Sequence, residues 1–104
     1  MKTTRLGATA LEISEIGFGG IPIIPLPQEE AVSLVGYCFD LGITFFDTAN
    51  MYPTSEEKLG VALRPIRNKV VIATKTAQRD AQSAADDIDL SLRQLQTDWI
   101  DVYQ

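Results

Sequence analysis

Apolar positions along this chain follow two alternating rhythms, one of short β-branched runs and one of helical spacing. Thr3–Leu6 and Leu11–Ser14 flank Gly7-Ala8-Thr9-Ala10. Glycine takes positive φ at no steric cost, so this opening predicts a short β-hairpin. Glu15–Gly19 predicts a short apolar strand, closed by the pair Gly19-Gly20. Pro22, Pro25 and Pro27 then remove backbone donors and keep the following loop irregular.

From Gln28 to Leu41, the residues Ala31, Leu34 or Val35, Cys38 and Leu41 recur at the spacing of one helix face. Glu29 and Glu30 suit the first turn, where the helix dipole favours negative charge. Gly42 stands where a helix commonly ends. Ile43–Phe46 is β-branched and aromatic and predicts a strand. The order then repeats. Thr54 and Glu57 have capping-box spacing before a short helix that Pro65 must end by about Arg64. Lys69–Thr74 is nearly all apolar, as a strand buried on both faces should be. Asp80 can cap a third helix with the face Ala84 or Ala85, Ile88, Leu92 and Leu95, and Trp99–Tyr103 predicts a last strand.

The expected architecture is α/β: a hairpin, three strand–helix units and a fourth strand in one domain over residues 1–104. Such alternation builds a parallel sheet with helices outside it. A (β/α)₈ barrel and a doubly wound open sheet both fit. A complete barrel takes roughly 250 residues, so a barrel reading gives about half of one.

Composition narrows the function classes. The chain has 104 residues, 45% hydrophobic and 22% charged, with formal net charge -5. That balance is globular, and the acidic charge disfavours nucleic acid as a partner. The one cysteine, Cys38, allows no internal disulfide, and its helical position makes it a core residue. Histidine is absent, and with it the commonest metal ligand, so no metal site is expected. No apolar run approaches the roughly 20 residues of a membrane span, and the start lacks a signal-peptide core, so a cytoplasmic location without membrane contact is expected. The cluster Asp86, Asp87 and Asp89 reads as a solvated helix face, and Trp99 as packing at the start of its strand.

Chemistry in both candidate folds gathers beyond the carboxyl ends of the strands. The second strand ends in Asp47-Thr48-Ala49-Asn50-Met51-Tyr52 and the third in Thr74-Lys75-Thr76. Taken singly, Asp47 as a turn cap, Tyr52 as loop packing and Lys75 as a solvated cation are the ordinary readings. Taken together they make a proton-transfer set. A phenol with an ordinary pKa of about 10 keeps its proton at neutral pH, a nearby ammonium favours the phenolate, and a carboxylate holds the ammonium in place. Tyr52 is then a candidate proton donor to a carbonyl oxygen.

The residues also carry a family resemblance. Arg5-Leu6-Gly7, Leu11 to Gly20, Leu41 to Ala49 with Tyr52, Ser55-Glu56 and Leu59-Gly60, Val70 to Lys75, and Ser91-Leu92-Arg93 through Ile100 to Gln104 resemble the amino-terminal signatures of aldo-keto reductases. The likeness covers nearly the whole chain, with its motifs in order. It implies the amino-terminal half of a (β/α)₈ TIM barrel, preceded by a short hairpin, in an enzyme reducing an aldehyde or ketone with NADP(H).

By position, Tyr52 matches the family's proton donor, Lys75 its modulating lysine and Asp47 the lysine's carboxylate partner, while Gly20 and Asp47 match positions near the nicotinamide ribose. The family's catalytic histidine follows the Tyr-Gln of the last motif, and its main hold on the cofactor's adenosine phosphate comes from the seventh and eighth strands. Neither lies among these residues, so the segment alone is expected to be inactive, and to self-associate or pair with a complementary half-barrel. Pro53 replaces the family's usual glycine and stiffens the loop after Tyr52. Gly17-Phe18-Gly19-Gly20 is no dinucleotide fingerprint, because the third glycine and the helix entry are missing. Gly19-Gly20-Ile21-Pro22-Ile23, Thr74-Lys75-Thr76 and Arg79-Asp80 resemble the branch with an iron–sulfur, ferredoxin-like tail. The alternative to an enzyme is a non-catalytic half-barrel, or a cofactor-sensing subunit of the kind found in the family's channel-associated members.

Overall fold

In the computed structural model, which describes residues 1–104, β1 (Thr3–Arg5) and β2 (Glu12–Ser14) pair antiparallel, with Thr4 opposite Ile13. Gly7 lies at φ 55, as the hairpin turn requires. Ser14 fastens the hairpin to the start of the main sheet: its amide donates to Thr44 Oγ1 at 3.0 Å, and its hydroxyl accepts from the Thr44 amide at 2.9 Å.

Four strands form the main sheet in chain order: β3 (Phe18–Gly19), β4 (Phe45–Asp47), β5 (Val71–Thr74) and β6 (Val102–Tyr103). Every neighbouring pair is parallel. The helices α1 (Gln28–Asp40), α2 (Ser55–Leu63) and α3 (Ala81–Gln94) make the crossovers. No helix is long and apolar enough to cross a membrane. Strict sequential order without reversal is that of a barrel wall, whereas a doubly wound sheet reverses at its switch point. The fold is the amino-terminal portion of a (β/α)₈ barrel.

Side chains alternate across each strand, and the alternation decides what faces the barrel axis. Phe46 and Ile72 face the helices and join Ile23, Ala31, Val35, Leu59, Leu63, Val70 and Leu95 in one buried cluster. Phe45 and Asp47, and Val71, Ala73 and Lys75 beyond the end of β5, fall on the opposite, inner face. The whole of β5 is buried, as its apolar run requires.

Several elements depart from their sequence expectation. The first strand shortens to Phe18–Gly19, because Ile16 and Gly17 lie exposed before it. On α1 the buried pair is Ala31 and Val35, while Leu34 and Leu41 are exposed, so the apolar stripe is narrower than its spacing implies. Gly42, at φ 100, ends that helix as expected. Thr54 makes no capping hydrogen bond, since it sits in the left-handed region at φ 61 directly after Pro53. Pro65 begins a 3-10 turn over Arg64–Lys69 and so ends α2 where it should. Asp80 caps α3 as expected, accepting from the Ser83 amide at 2.9 Å.

The last strand spans only Val102–Tyr103. Asp101 explains this: its Oδ2 accepts from the Ile72 amide at 2.9 Å, so a side chain takes the place of a backbone carbonyl in the ladder. Trp99 does not pack into the strand. It is exposed, with Arg67 stacked 4.2 Å from its ring centroid. Asp87 is not a free surface charge either, because Thr76 donates to it at 2.6 Å.

Candidate active site

Parallel pairing aligns Asp47 with Ala73 at the carboxyl ends of β4 and β5, and the ladder runs on past both strands. Thr48 N–H donates to the Ala73 carbonyl at 2.9 Å, and Asn50 N–H to that of Lys75 at 3.0 Å. These bonds keep the loop after β4 beside the end of β5. The chain then turns sharply, with Tyr52 N–H donating to the Ala49 carbonyl, and delivers Tyr52 to the mouth of the barrel.

The three candidate side chains meet there. Lys75 Nζ lies 3.0 Å from Asp47 Oδ2 and donates to the Thr48 carbonyl at 2.6 Å. It also lies 5.2 Å from the centroid of the Tyr52 ring, within reach of a cation–π contact. Asp47 and Lys75 keep 40% and 27% of their side-chain surface open, so a planar group entering the mouth can reach both.

Gly20 has a packing reason to be glycine. Its amide donates to the Asp47 carbonyl at 2.8 Å, and the Ser55 hydroxyl donates to its own carbonyl at 2.8 Å. A Cβ there would stand 2.6 Å from Ser55 Oγ and 3.0 Å from both Thr48 Oγ1 and the Asp47 carbonyl. The first strand is thereby pinned against Asp47 and the start of α2.

Sequence reading did not single out three buried polar groups around this mouth. Lys58, on α2, donates to the carbonyls of Ile23 and Ile24 at 3.1 and 2.8 Å and so holds the proline-rich loop. Glu56, 1% exposed, accepts from Thr74 Oγ1 at 2.9 Å and from Asn50 Nδ2 at 3.4 Å. Burial raises its carboxyl above the ordinary 4.5, and the hydroxyls and amide around it oppose that rise only in part. Tyr103, at the end of β6, buries its hydroxyl, and desolvation raises its phenol above 10.0, a rise that the nearby Thr76 hydroxyl opposes only in part. Glu56 carries a faint sequence signal, a carboxylate in the first helical turn, but that position usually reads as solvated dipole pairing.

Comparison with known proteins fits this geometry. Residues 15–104 match the model of the aldo/keto reductase family. L-galactose dehydrogenase of Arabidopsis thaliana is 36% identical over 93% of this chain, which spans 35% of that protein. The holo form of an aldo-keto reductase from Bacillus halodurans superposes with a TM-score of 0.89 at 33% identity, over 100% of this chain and 39% of that one. An aldo-keto reductase from Klebsiella pneumoniae, solved in complex with NADPH, gives a TM-score of 0.80 at 34% identity over 98% of this chain and 38% of that one. The chain thus spans little more than a third of the length of the relatives it matches. With a family match over most of its residues and the barrel-wall topology beneath it, the chain belongs to the aldo/keto reductase family of oxidoreductases.

Proposed function

We propose that these residues supply the proton-transfer side of an NADPH-dependent reductase acting on a small aldehyde or ketone. The observation that carries the reading is the single ammonium of Lys75, shared between Asp47 and the ring of Tyr52. NADPH would supply the hydride; Tyr52 supplies the proton. As the carbonyl carbon gains its hydrogen, negative charge develops on the oxygen, and the Tyr52 hydroxyl donates to that oxygen. The phenolate left behind is stabilised by the adjacent cation, and Asp47 with the Thr48 carbonyl keeps that cation in place. Gly20 and Asp47 border the side of the mouth given to the nicotinamide ribose. The openness of the Asp47 carboxylate supports that placement.

The test is carbonyl-dependent oxidation of NADPH by the protein with its barrel complete, across aliphatic and aromatic aldehydes and ketones. Turnover with at least one class is expected. Tight NADPH binding with no turnover on any of them would favour the cofactor-sensing reading instead.

Taken alone, residues 1–104 are expected to turn over little NADPH, for they contain no histidine and only four barrel strands. Carbonyl-dependent NADPH oxidation by this segment at a rate near that of the complete barrel would overturn that. Strands β3 and β6 each have one neighbour, leaving two open sheet edges. Open edges recruit further strands, so self-association or pairing with a complementary half-barrel is expected. A monodisperse monomer in sedimentation at micromolar concentration would contradict it.

A further inference from the structure

We propose that Glu56 is a positioning residue that sets Tyr52 against Lys75, by clamping the loop of the one to the strand of the other. The inference rests on the reading of Tyr52 and Lys75 given above. Glu56 lies in the first turn of α2, behind the mouth, and touches neither side chain. Its Oε2 accepts from the hydroxyl of Thr74, the residue before Lys75, and its Oε1 accepts from the side-chain amide of Asn50, two residues before Tyr52. Asn50 in turn donates through that amide to Ser91 Oγ at 3.3 Å, and through its backbone to the Lys75 carbonyl at 3.0 Å. One carboxyl therefore joins the end of β5, the loop after β4 and the helix α3.

The energetics argue that this group is not there for stability. The ion pairs of the chain are Arg67–Asp101 and Lys75–Asp47, so Glu56 faces no cation. An unpaired carboxyl in the interior costs stability even when hydrogen-bonded, and an apolar side chain of similar volume would avoid that cost. What an apolar residue cannot do is hold Thr74 and Asn50 at fixed distances. Its two oxygens accept from separate donors, the Thr74 hydroxyl and the Asn50 amide, so one side chain fixes the spacing of both segments.

The experiment uses the protein with its barrel complete and three variants: Glu56→Ala, Glu56→Gln and Thr74→Val. For each, kcat, KM and NADPH affinity are measured, with Tyr52→Phe assayed beside them. Glu56→Ala is expected to lower kcat about tenfold to a hundredfold, the scale of a small misplacement of catalytic groups. NADPH affinity should stay within about threefold, because the clamp touches no cofactor-facing group. Glu56→Gln, which can still bridge, should recover at least about a third of the lost turnover. Thr74→Val removes one arm of the clamp without changing volume much; it should lower kcat with NADPH affinity likewise kept, and it keeps the test open if Glu56→Ala does not fold.

Folded alanine and valine variants with wild-type kcat would overturn the proposal, as would a folded glutamine variant as impaired as the alanine one. Full turnover in Tyr52→Phe would instead remove the reading of the site on which the proposal stands. An inactive Tyr52→Phe beside unaffected Glu56 and Thr74 variants would sink the positioning role alone.

Discussion

Asp47 ends β4 and Lys75 follows the end of the adjacent parallel strand β5, with the lysine ammonium 3.0 Å from the carboxylate and 2.6 Å from the Thr48 carbonyl. The cation facing Tyr52 is thus held by one charged and one neutral acceptor. Asp47→Asn leaves the neutral acceptor and should lower kcat about tenfold, whereas Lys75→Met removes the cation and should cost about 10² to 10⁴. Steady-state kinetics with NADPH affinity measured in parallel checks both. An Asp47→Asn enzyme with undiminished kcat would show that the Thr48 carbonyl suffices.

Arg67 ties the lower end of the sheet together. It donates to Thr97 Oγ1, the Val70 and Trp99 carbonyls and Asp101 Oδ2, all between 2.8 and 3.1 Å. With both members of its ion pair nearly buried, Arg67→Ala leaves Asp101 without its counter-charge and should destabilise by about 3–5 kcal/mol. Denaturant unfolding reads this directly. A loss below about 1 kcal/mol would mean that the pair behaves like an exposed one.

Two helical glycines should respond with opposite sign. Nothing lies within 4 Å of a Cβ placed at Gly36, so Gly36→Ala should stabilise α1 by about 0.5–1 kcal/mol. A Cβ at Gly60 would collide with the Gln94 carbonyl and stand 2.9 Å from Leu95 Cα, so Gly60→Ala should destabilise by about 1–3 kcal/mol. Matching thermal melts would show the contrast, and two shifts of the same sign would contradict the close α2–α3 approach.

The carboxyl of Glu56 also sets a pH dependence of stability. Its folded value is raised above the ordinary 4.5, so the folded state holds the proton more tightly than the unfolded chain does. Stability from this group is therefore full below about 4.5 and declines as pH rises through the raised folded value. Glu56→Gln has no such group, and should gain stability relative to wild type between pH 4 and pH 7. Urea unfolding at both ends of that range checks it; a difference independent of pH would show that burial does not shift this carboxyl.

Much of this was legible in the residues. That Asp47, Tyr52 and Lys75 would come together could be read because strand ends point side chains to one mouth, and that rule needs only the strands to be located. Asp80 could be found because a helix cap is a local matter. Interactions between distant segments were not legible. Arg67 reaches residues some thirty positions away, and Asp101 looks like a strand residue until its side chain is seen taking the Ile72 amide. Thr54 and Glu57 have the right spacing for a cap, but spacing does not show that Pro53 leads into a left-handed turn. Glu56 looked like any charged residue of a first turn, because nothing local shows that α3 closes over it.

The central claim is that Tyr52 gives its proton to the substrate carbonyl while taking little part in holding the cofactor. Tyr52→Phe, measured in the protein with its barrel complete for both carbonyl turnover and NADPH affinity, tests it most directly. There kcat should fall by at least about 10², with the NADPH dissociation constant within about threefold of wild type. Turnover close to wild type, with the hydroxyl gone, would contradict it.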